Sequence, residues 1–394
     1  MLHDVGFHRS DIISLMSSGL CFAVVPGAPF PHVHDTLAGC CTLMKLFACT
    51  HCSNIVYFEN SSCEGCGSRL GYDPRLNGMY ALAPQGDAWT ALAREGGSYR
   101  LCGNAAHQVC NWLIPAGAPE TLCVSCRHNQ LIPDLSVETN VLLWRKLELA
   151  RHHLFYGLLK LRLPLETRSE QPAFGLAFKF PADDPAAAGP VLTGHDEGII
   201  TINLAEADDA IREKRRTLMG EPYRTLLGHF RHEIGHYYWD RLVRDTAHLE
   251  AFRSLFGDER RDYAEALNTY YANGPAEQWW ETFISAYATS HPWEDFAETW
   301  AHYLHIVDTL EMAGAYGLRV DPVLTRDAAH AAKVDVDPHD VPDVDQLARR
   351  WMPISVAVNS INRCMGQPDL YPFVLTPGMI MKLGFVHEVI HGHR

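Results

Sequence analysis

No apolar run in this sequence approaches the roughly 18 residues that a membrane-spanning helix needs, so no membrane-spanning helix is expected. A basic excess is also missing. The chain carries 33 Lys and Arg against 47 Asp and Glu, a net charge of −14 over 394 residues, so it lacks the positive footprint for non-specific binding to nucleic acid or an anionic membrane. There is no repeat of fixed period and no low-complexity tract. Residues 19–25 form a short apolar stretch, but Pro26, Pro29 and Pro31 follow it and its flank is not clearly basic, so it makes a poor signal peptide. Cysteine is scarce over most of the length. Of 12 cysteines, eight fall between Cys49 and Cys126 and only Cys364 follows them. A chain this long does not need disulfide staples, so the clustering points to metal, and thiolate metal sites point to a reducing, cytoplasmic compartment.

What is present divides the chain into three parts. Residues 1–43 read as a disordered or non-native extension, because the chain restarts convincingly at Met44-Lys45-Leu46-Phe47. Residues 44–134 are rich in Gly, Pro and Asn without long helical periodicity, which predicts short strands and knuckle turns, with residues 82–98 as turns between two cysteine clusters. Residues 135–394 are expected to be mostly helical, with helices near 137–161, 205–219, 222–243, 259–272, 276–289, 292–312 and 344–363 and a strand at 198–204.

Cys49-x-x-Cys52 and Cys63-x-x-Cys66 each put two thiolates on one tight turn, and two such turns close a four-thiolate structural zinc site. Cys102, Cys110, Cys123 and Cys126 form a second candidate, with His107 as a competing fourth ligand. Zinc ribbons often bind nucleic acid, but residues 45–134 hold six Lys and Arg against seven Asp and Glu, and each four-thiolate zinc would add about −2. Stability or protein contact is the better reading.

His232-Glu233-Ile234-Gly235-His236 matches H-E-x-x-H in a helix-compatible segment. At i and i+4 the two imidazoles share a helical face and can bind one zinc, with the intervening Glu placed to take a proton from water. A chain with 22 histidines gives such a pattern by chance more readily than most, and His387-Glu388-Val389-Ile390-His391 is a second match. That copy ends three residues before the C-terminus, and it reads as an exposed terminal helix. The first copy has better context. Upstream, the 198–204 strand is suited to be an edge that pairs with an extended peptide. Downstream, Glu294 and Glu298 stand at i and i+4 in Glu294-Asp295-Phe296-Ala297-Glu298, so that one can ligate and the other can hold a ligand histidine. His302 and His305 on the same segment read as packing residues, as do Tyr237, Tyr238, Trp239, Trp279 and Trp280.

The stretch 232–298 resembles the gluzincin metallopeptidases of the anthrax lethal factor and Mlc titration factor type. That likeness implies Glu294 as third zinc ligand, Glu298 behind a ligand histidine, and Tyr287, seven residues before Glu294, as an oxyanion-stabilising residue. From Met44 onward the chain resembles a family of zinc-binding metallopeptidases with an N-terminal zinc ribbon. The resemblance is carried by M-K-L-F-A-C-x-H-C, C-N-W-L at 110–113, H-E-x-G-H-Y-Y-W at 232–239 and E-D-F-A-E-T-W-A-H-Y-L-H at 294–305. It implies an α+β fold, a mostly helical zincin-like domain behind a small β-rich ribbon, with one catalytic zinc and up to two structural ones. The implied reaction is peptide-bond hydrolysis of a protein or peptide with Glu233 as general base. The competing reading is a catalytically silent zinc-binding adaptor.

Overall fold

A computed structural model describes residues 46–93, 96–183 and 191–392, and the extension read at 1–43 lies outside them. The chain opens with β1 (Leu46–Ala48) paired antiparallel to β2 (Ile55–Tyr57), with Cys49 and Cys52 in the connecting turn. Next come β3 (Arg69–Asp73), β4 (Gly78–Gln85), β5 (Ala88–Ala91), β6 (Ser98–Leu101) and β7 (Leu113–Pro115), an antiparallel meander in chain order. Segment 82–98, expected as turns, is therefore largely strand. Its residues pair in register, and Leu82, Ala91, Tyr99 and Leu113 close a small apolar cluster of their own.

This β-rich part is not an isolated bead. Helix α1 (Glu138–Lys160) buries Trp144, Leu147, Leu154, Phe155 and Tyr156, and the ribbon packs onto it. The ring of Trp112 stacks on His152 at 5.1 Å, and Phe58 meets Tyr156 edge-on at 5.4 Å. One continuous core runs from Cys49 to Ile390.

A second sheet has the order β10–β11–β9–β8. Its strands are β8 (Asn129–Leu131), β9 (Ala177–Lys179), β10 (Gly194–Asp196) and β11 (Ile199–Thr201), with β8, β9 and β11 parallel and β10 antiparallel to β11. The strand read at 198–204 is thus an interior strand of three residues, and the sheet's edges are β10 and β8. The chain reverses between them at Glu197 and Gly198, both at positive φ (44° and 85°), the geometry of a tight hairpin turn. A Cβ on Gly198 would lie 2.8 Å from the Gly175 carbonyl oxygen, so only glycine fits there.

The remaining helices are α2 (Asp209–Met219), α3 (Leu226–Leu242), α4 (Leu249–Phe256), α5 (Tyr263–Asn273), α6 (Pro292–Ala315), α7 (Val344–Cys364) and α8 (Pro377–Gly392). The helix expected at 276–289 is replaced by two single 3-10 turns, Trp279–Glu281 and Tyr287–Thr289. Pro275 stops the preceding helix, and the Ser285 hydroxyl in this stretch bonds Glu298 at 2.6 Å rather than facing solvent. Helix α4 escaped the sequence reading because it is only eight residues long; Phe252 and Phe256 anchor it.

Helices α3 and α6 pack directly against each other where Gly235 meets Ala297. A Cβ at Gly235 would stand 2.9 Å from the Ala297 Cα and 3.1 Å from the Trp300 Cβ. Behind α6 lies α8. It is not an exposed terminal helix, because Leu383, Phe385, Val386, Val389 and Ile390 are buried and Lys382 pairs with the buried Asp295 at 2.6 Å. Among the described residues no helix is long and apolar enough to cross a membrane.

Candidate metal centres

Three clusters of metal-ligating side chains match the residues singled out above. In the first, Cys49, Cys52, Cys63 and Cys66 converge, with Sγ–Sγ distances of 3.8 Å (Cys49–Cys66) and 3.6 Å (Cys52–Cys63). A tetrahedron with Zn–S bonds of about 2.3 Å has edges of about 3.8 Å, so the four sulfurs fit a zinc ion. In the second, Cys102, Cys110, Cys123 and Cys126 are all buried, with Cys110 and Cys123 at 3.8 Å. Burial pushes Cys110 and Cys123 up, while hydrogen bonds from the other thiols and from His152 hold Cys126 well below the ordinary thiol value. His107 does not join them; it is exposed and its ring lies 5.9 Å from that of Trp144. Helix α1 supplies the surroundings instead, with Glu148 and His152 at 3.9 and 3.8 Å from the Cys126 sulfur and Arg151 paired to Glu148.

The third cluster is His232, His236 and Glu294. Both histidines project from one face of α3, whose N-terminus is capped by the Thr225 hydroxyl accepting from the Gly228 amide. Glu294 sits in the first turn of α6, capped by His291. The Nε2 atoms of His232 and His236 are 3.1 Å apart, and Glu294 Oε2 lies 3.0 Å from His232 Nε2. Bonds of about 2.0–2.1 Å to one zinc would separate neighbouring ligands by about 3.3 Å, close to these values. Glu294 Oε2 is buried and accepts no hydrogen bond, and the buried Glu233 carboxylate is in electrostatic reach of Glu294 and both imidazoles. The donor set therefore suits a cation.

Glu298, one turn further along α6, lies on the other side of the His232 ring. Its Oε1 accepts from His232 Nδ1 at 2.7 Å and its Oε2 from the Ser285 hydroxyl at 2.6 Å. So Glu294 faces the Nε2 side of the imidazoles and Glu298 the Nδ1 side of one of them. Burial opposes a charge on His232, but Glu294 and Glu298 outweigh it and hold the imidazole well above its usual value; Glu294 is held well below its own by His236 and His232 despite burial. Burial lifts Glu233 above the usual carboxylate range. The Tyr287 ring lies 6.1 Å from that of His232, and burial raises its phenol. The His236 ring is backed by Trp293 at 4.0 Å, and His195 from the β10 edge stands 6.3 Å away.

Sequence reasoning missed Ser285, His195 and Tyr263. The Tyr263 hydroxyl donates to Glu294 Oε1 at 2.5 Å. No spacing rule points to these residues, because each arrives from a separate element. His302 and His305 do not reach the cluster: His302 bonds the Tyr371 hydroxyl at 2.7 Å, and His305 bonds Arg231. The second H-E-x-x-H copy also stays apart. Its His387 and His391 face the Tyr303 hydroxyl at 2.9 and 3.4 Å, and among the described residues no third ligand completes a site there.

Two families match the chain. One, described as "Putative zinc-binding metallo-peptidase", matches residues 140–389, and a zinc-ribbon domain family matches residues 46–137. Uncharacterized proteins of Mycobacterium tuberculosis and Mycobacterium bovis are 40% identical over 348 residues, which is 88% of this chain and 95% of each relative. No solved structure matches.

Proposed function

This chain belongs to the zinc-binding metallopeptidase family, and we propose that it hydrolyses peptide bonds at the cluster formed by His232, His236 and Glu294. The observation that carries the reading is the convergence of two imidazole Nε2 atoms and one unbonded carboxylate oxygen beside the buried Glu233. Three protein ligands leave a position for a reacting group, as in catalytic rather than closed structural zinc sites. When bound, zinc would supply Lewis acidity, lowering the pKa of water and polarising a carbonyl oxygen.

The chain's own residues take the remaining roles. Glu233 accepts the proton of the attacking water and passes it to the departing amine nitrogen as the C–N bond breaks. Glu298 fixes the His232 ring through Nδ1 and is itself fixed by Ser285. Tyr287 donates its hydroxyl to the carbonyl oxygen as negative charge develops there. An extended peptide or protein substrate is supported by the β10 edge, which carries His195 next to His236. The two four-cysteine clusters hold structural zinc, giving three zinc ions per chain, and thiolate ligation favours the cytoplasm.

The test is elemental analysis joined to a peptide-library cleavage screen. Wild type should hold three zinc ions, His236→Ala two and His391→Ala three. Glu233→Gln should keep three yet lose turnover by a factor of 100 or more, roughly the contribution of general base catalysis. Unchanged cleavage in Glu233→Gln would refute the mechanism. Equal zinc in wild type and His236→Ala, even after zinc is added, would refute the metal centre.

A further inference from the structure

Glu294 has two oxygens, and their surroundings differ. Oε2 lies 3.0 Å from His232 Nε2 and accepts no hydrogen bond, whereas Oε1 stands farther from an imidazole, 3.5 Å from His236 Nε2, and accepts the Tyr263 hydroxyl at 2.5 Å. Tyr263 is the first residue of α5, a helix that is mostly exposed, with Ala266 buried and Leu267 and Tyr270 half-buried, so a chance contact is the first alternative to weigh. The anchoring argues otherwise. Two residues before Tyr263, the Arg261 carbonyl accepts from His291 Nε2 at 3.2 Å, and His291 is the residue that caps α6. The Tyr263 ring packs edge-on against His291 at 5.2 Å and Trp293 at 5.8 Å, and Trp293 in turn backs His236. Further up the chain, Gly257 lies against Pro292, where a Cβ would come within 3.3 Å of the proline ring. The segment before α5 is thus tied to the start of α6, and the phenol is aimed at one oxygen of one ligand.

We propose that Tyr263 is a positioning residue that occupies Glu294 Oε1 and so makes Glu294 a one-oxygen ligand through Oε2. A carboxylate free to rotate can offer both oxygens to one cation or turn Oε2 away from the imidazoles. A hydrogen bond to Oε1 opposes both, and partners of this kind typically alter metal affinity 10- to 100-fold. The assignment rests on reading the central cluster as a metal centre, but it does not depend on which bond is hydrolysed.

The experiment compares wild type, Tyr263→Phe, His236→Ala and, as a control, Tyr316→Phe, which removes the hydroxyl of an exposed tyrosine that follows the far end of α6 and bonds Tyr57. Zinc at the central site is titrated against a chelator, with His236→Ala as the baseline that retains only the cysteine sites, and cobalt(II) is then placed in the central site for visible absorption. Phenylalanine keeps the ring packing, so a purely structural role would leave both readouts alone. Tyr263→Phe should bind zinc about tenfold more weakly and shift the cobalt bands, while Tyr316→Phe matches wild type. Zinc affinity within about twofold of wild type, or unaltered cobalt bands, overturns the proposal while leaving the metal centre standing. No difference between wild type and His236→Ala overturns the metal centre and the proposal together.

Discussion

Replacing Gly235 by alanine separates the geometry of the metal cluster from the stability of the fold. The added Cβ would lie 2.9 Å from the Ala297 Cα and 3.1 Å from the Trp300 Cβ. Relaxing the backbone contact to an ordinary 3.4 Å needs a displacement of about 0.5 Å between α3 and α6. Those two helices carry His232 and His236 on one side and Glu294 on the other. Metal–ligand distances tolerate only about ±0.2 Å, so a shift of that size exceeds what the cluster can absorb. Global stability changes less. Overpacking costs about 1–3 kcal/mol, and the better helix propensity of alanine returns about 1 kcal/mol, leaving a net loss of about 1 kcal/mol. We expect zinc affinity at the central site to fall at least tenfold while thermal unfolding moves by only a few degrees. Chelator competition and calorimetry on the same preparations measure both. A Gly235→Ala protein that is stabilised and binds zinc as tightly as wild type would show that the helix contact does not set the ligand geometry.

Other consequences follow from the contacts around each cluster. Glu298→Gln keeps the shape of the side chain but removes the charge that holds His232 Nδ1, so zinc affinity at the central site should drop 10- to 100-fold, or about 1–3 kcal/mol; isothermal titration with zinc reads this, and an unchanged constant would place Glu298 outside the ligand support. Cys110→Ala should lose one zinc by elemental analysis and lower the unfolding temperature, because its sulfur sits in a fully buried cluster built against α1; an unchanged zinc count would dismiss that site. His339 is buried beside Asp308, Asp337 and Glu311, where burial opposes its charge but the carboxylates, led by Asp308, outweigh it and raise its pKa from 6.5 to about 8. A raised folded-state value means that stability is fully present below pH 6.5 and is lost as the pH rises through about 8, by roughly 2 kcal/mol in all. Denaturant titrations at pH 6 and pH 9 should show that loss in wild type and a smaller one in His339→Gln, and equal pH dependence in the two proteins would remove His339 as its source.

The ligand types were legible in the sequence because their spacing is local. Two thiolates on one turn, two imidazoles one helical turn apart, and two carboxylates one turn apart are properties of a tight turn or a helix wherever it is placed. The helical periodicity of α1, α3, α6 and α7 was legible for the same reason. Elements whose identity depends on partners were not. The strand pairing within 82–98 and the loss of a helix at 276–289 depend on long-range register and on the Ser285–Glu298 contact. The edge position of β10 depends on where β9 and β8 lie.

The two H-E-x-x-H copies share one local pattern; sequence context favoured the first, and packing shows what each histidine pair meets. Helix α6 brings Glu294 to the Nε2 atoms of the first pair and Tyr303 to the second. The same packing assigns Glu294 and Glu298 to opposite sides of His232, leaves His107 outside the thiols, and delivers Tyr263 from α5 to one oxygen of Glu294. Sequence alone determined which residues could bind a metal, because ligand chemistry and helical period are local. Tertiary structure decided which of them meet and through which atom, because convergence of side chains from separate elements is a property of helix crossing and core packing.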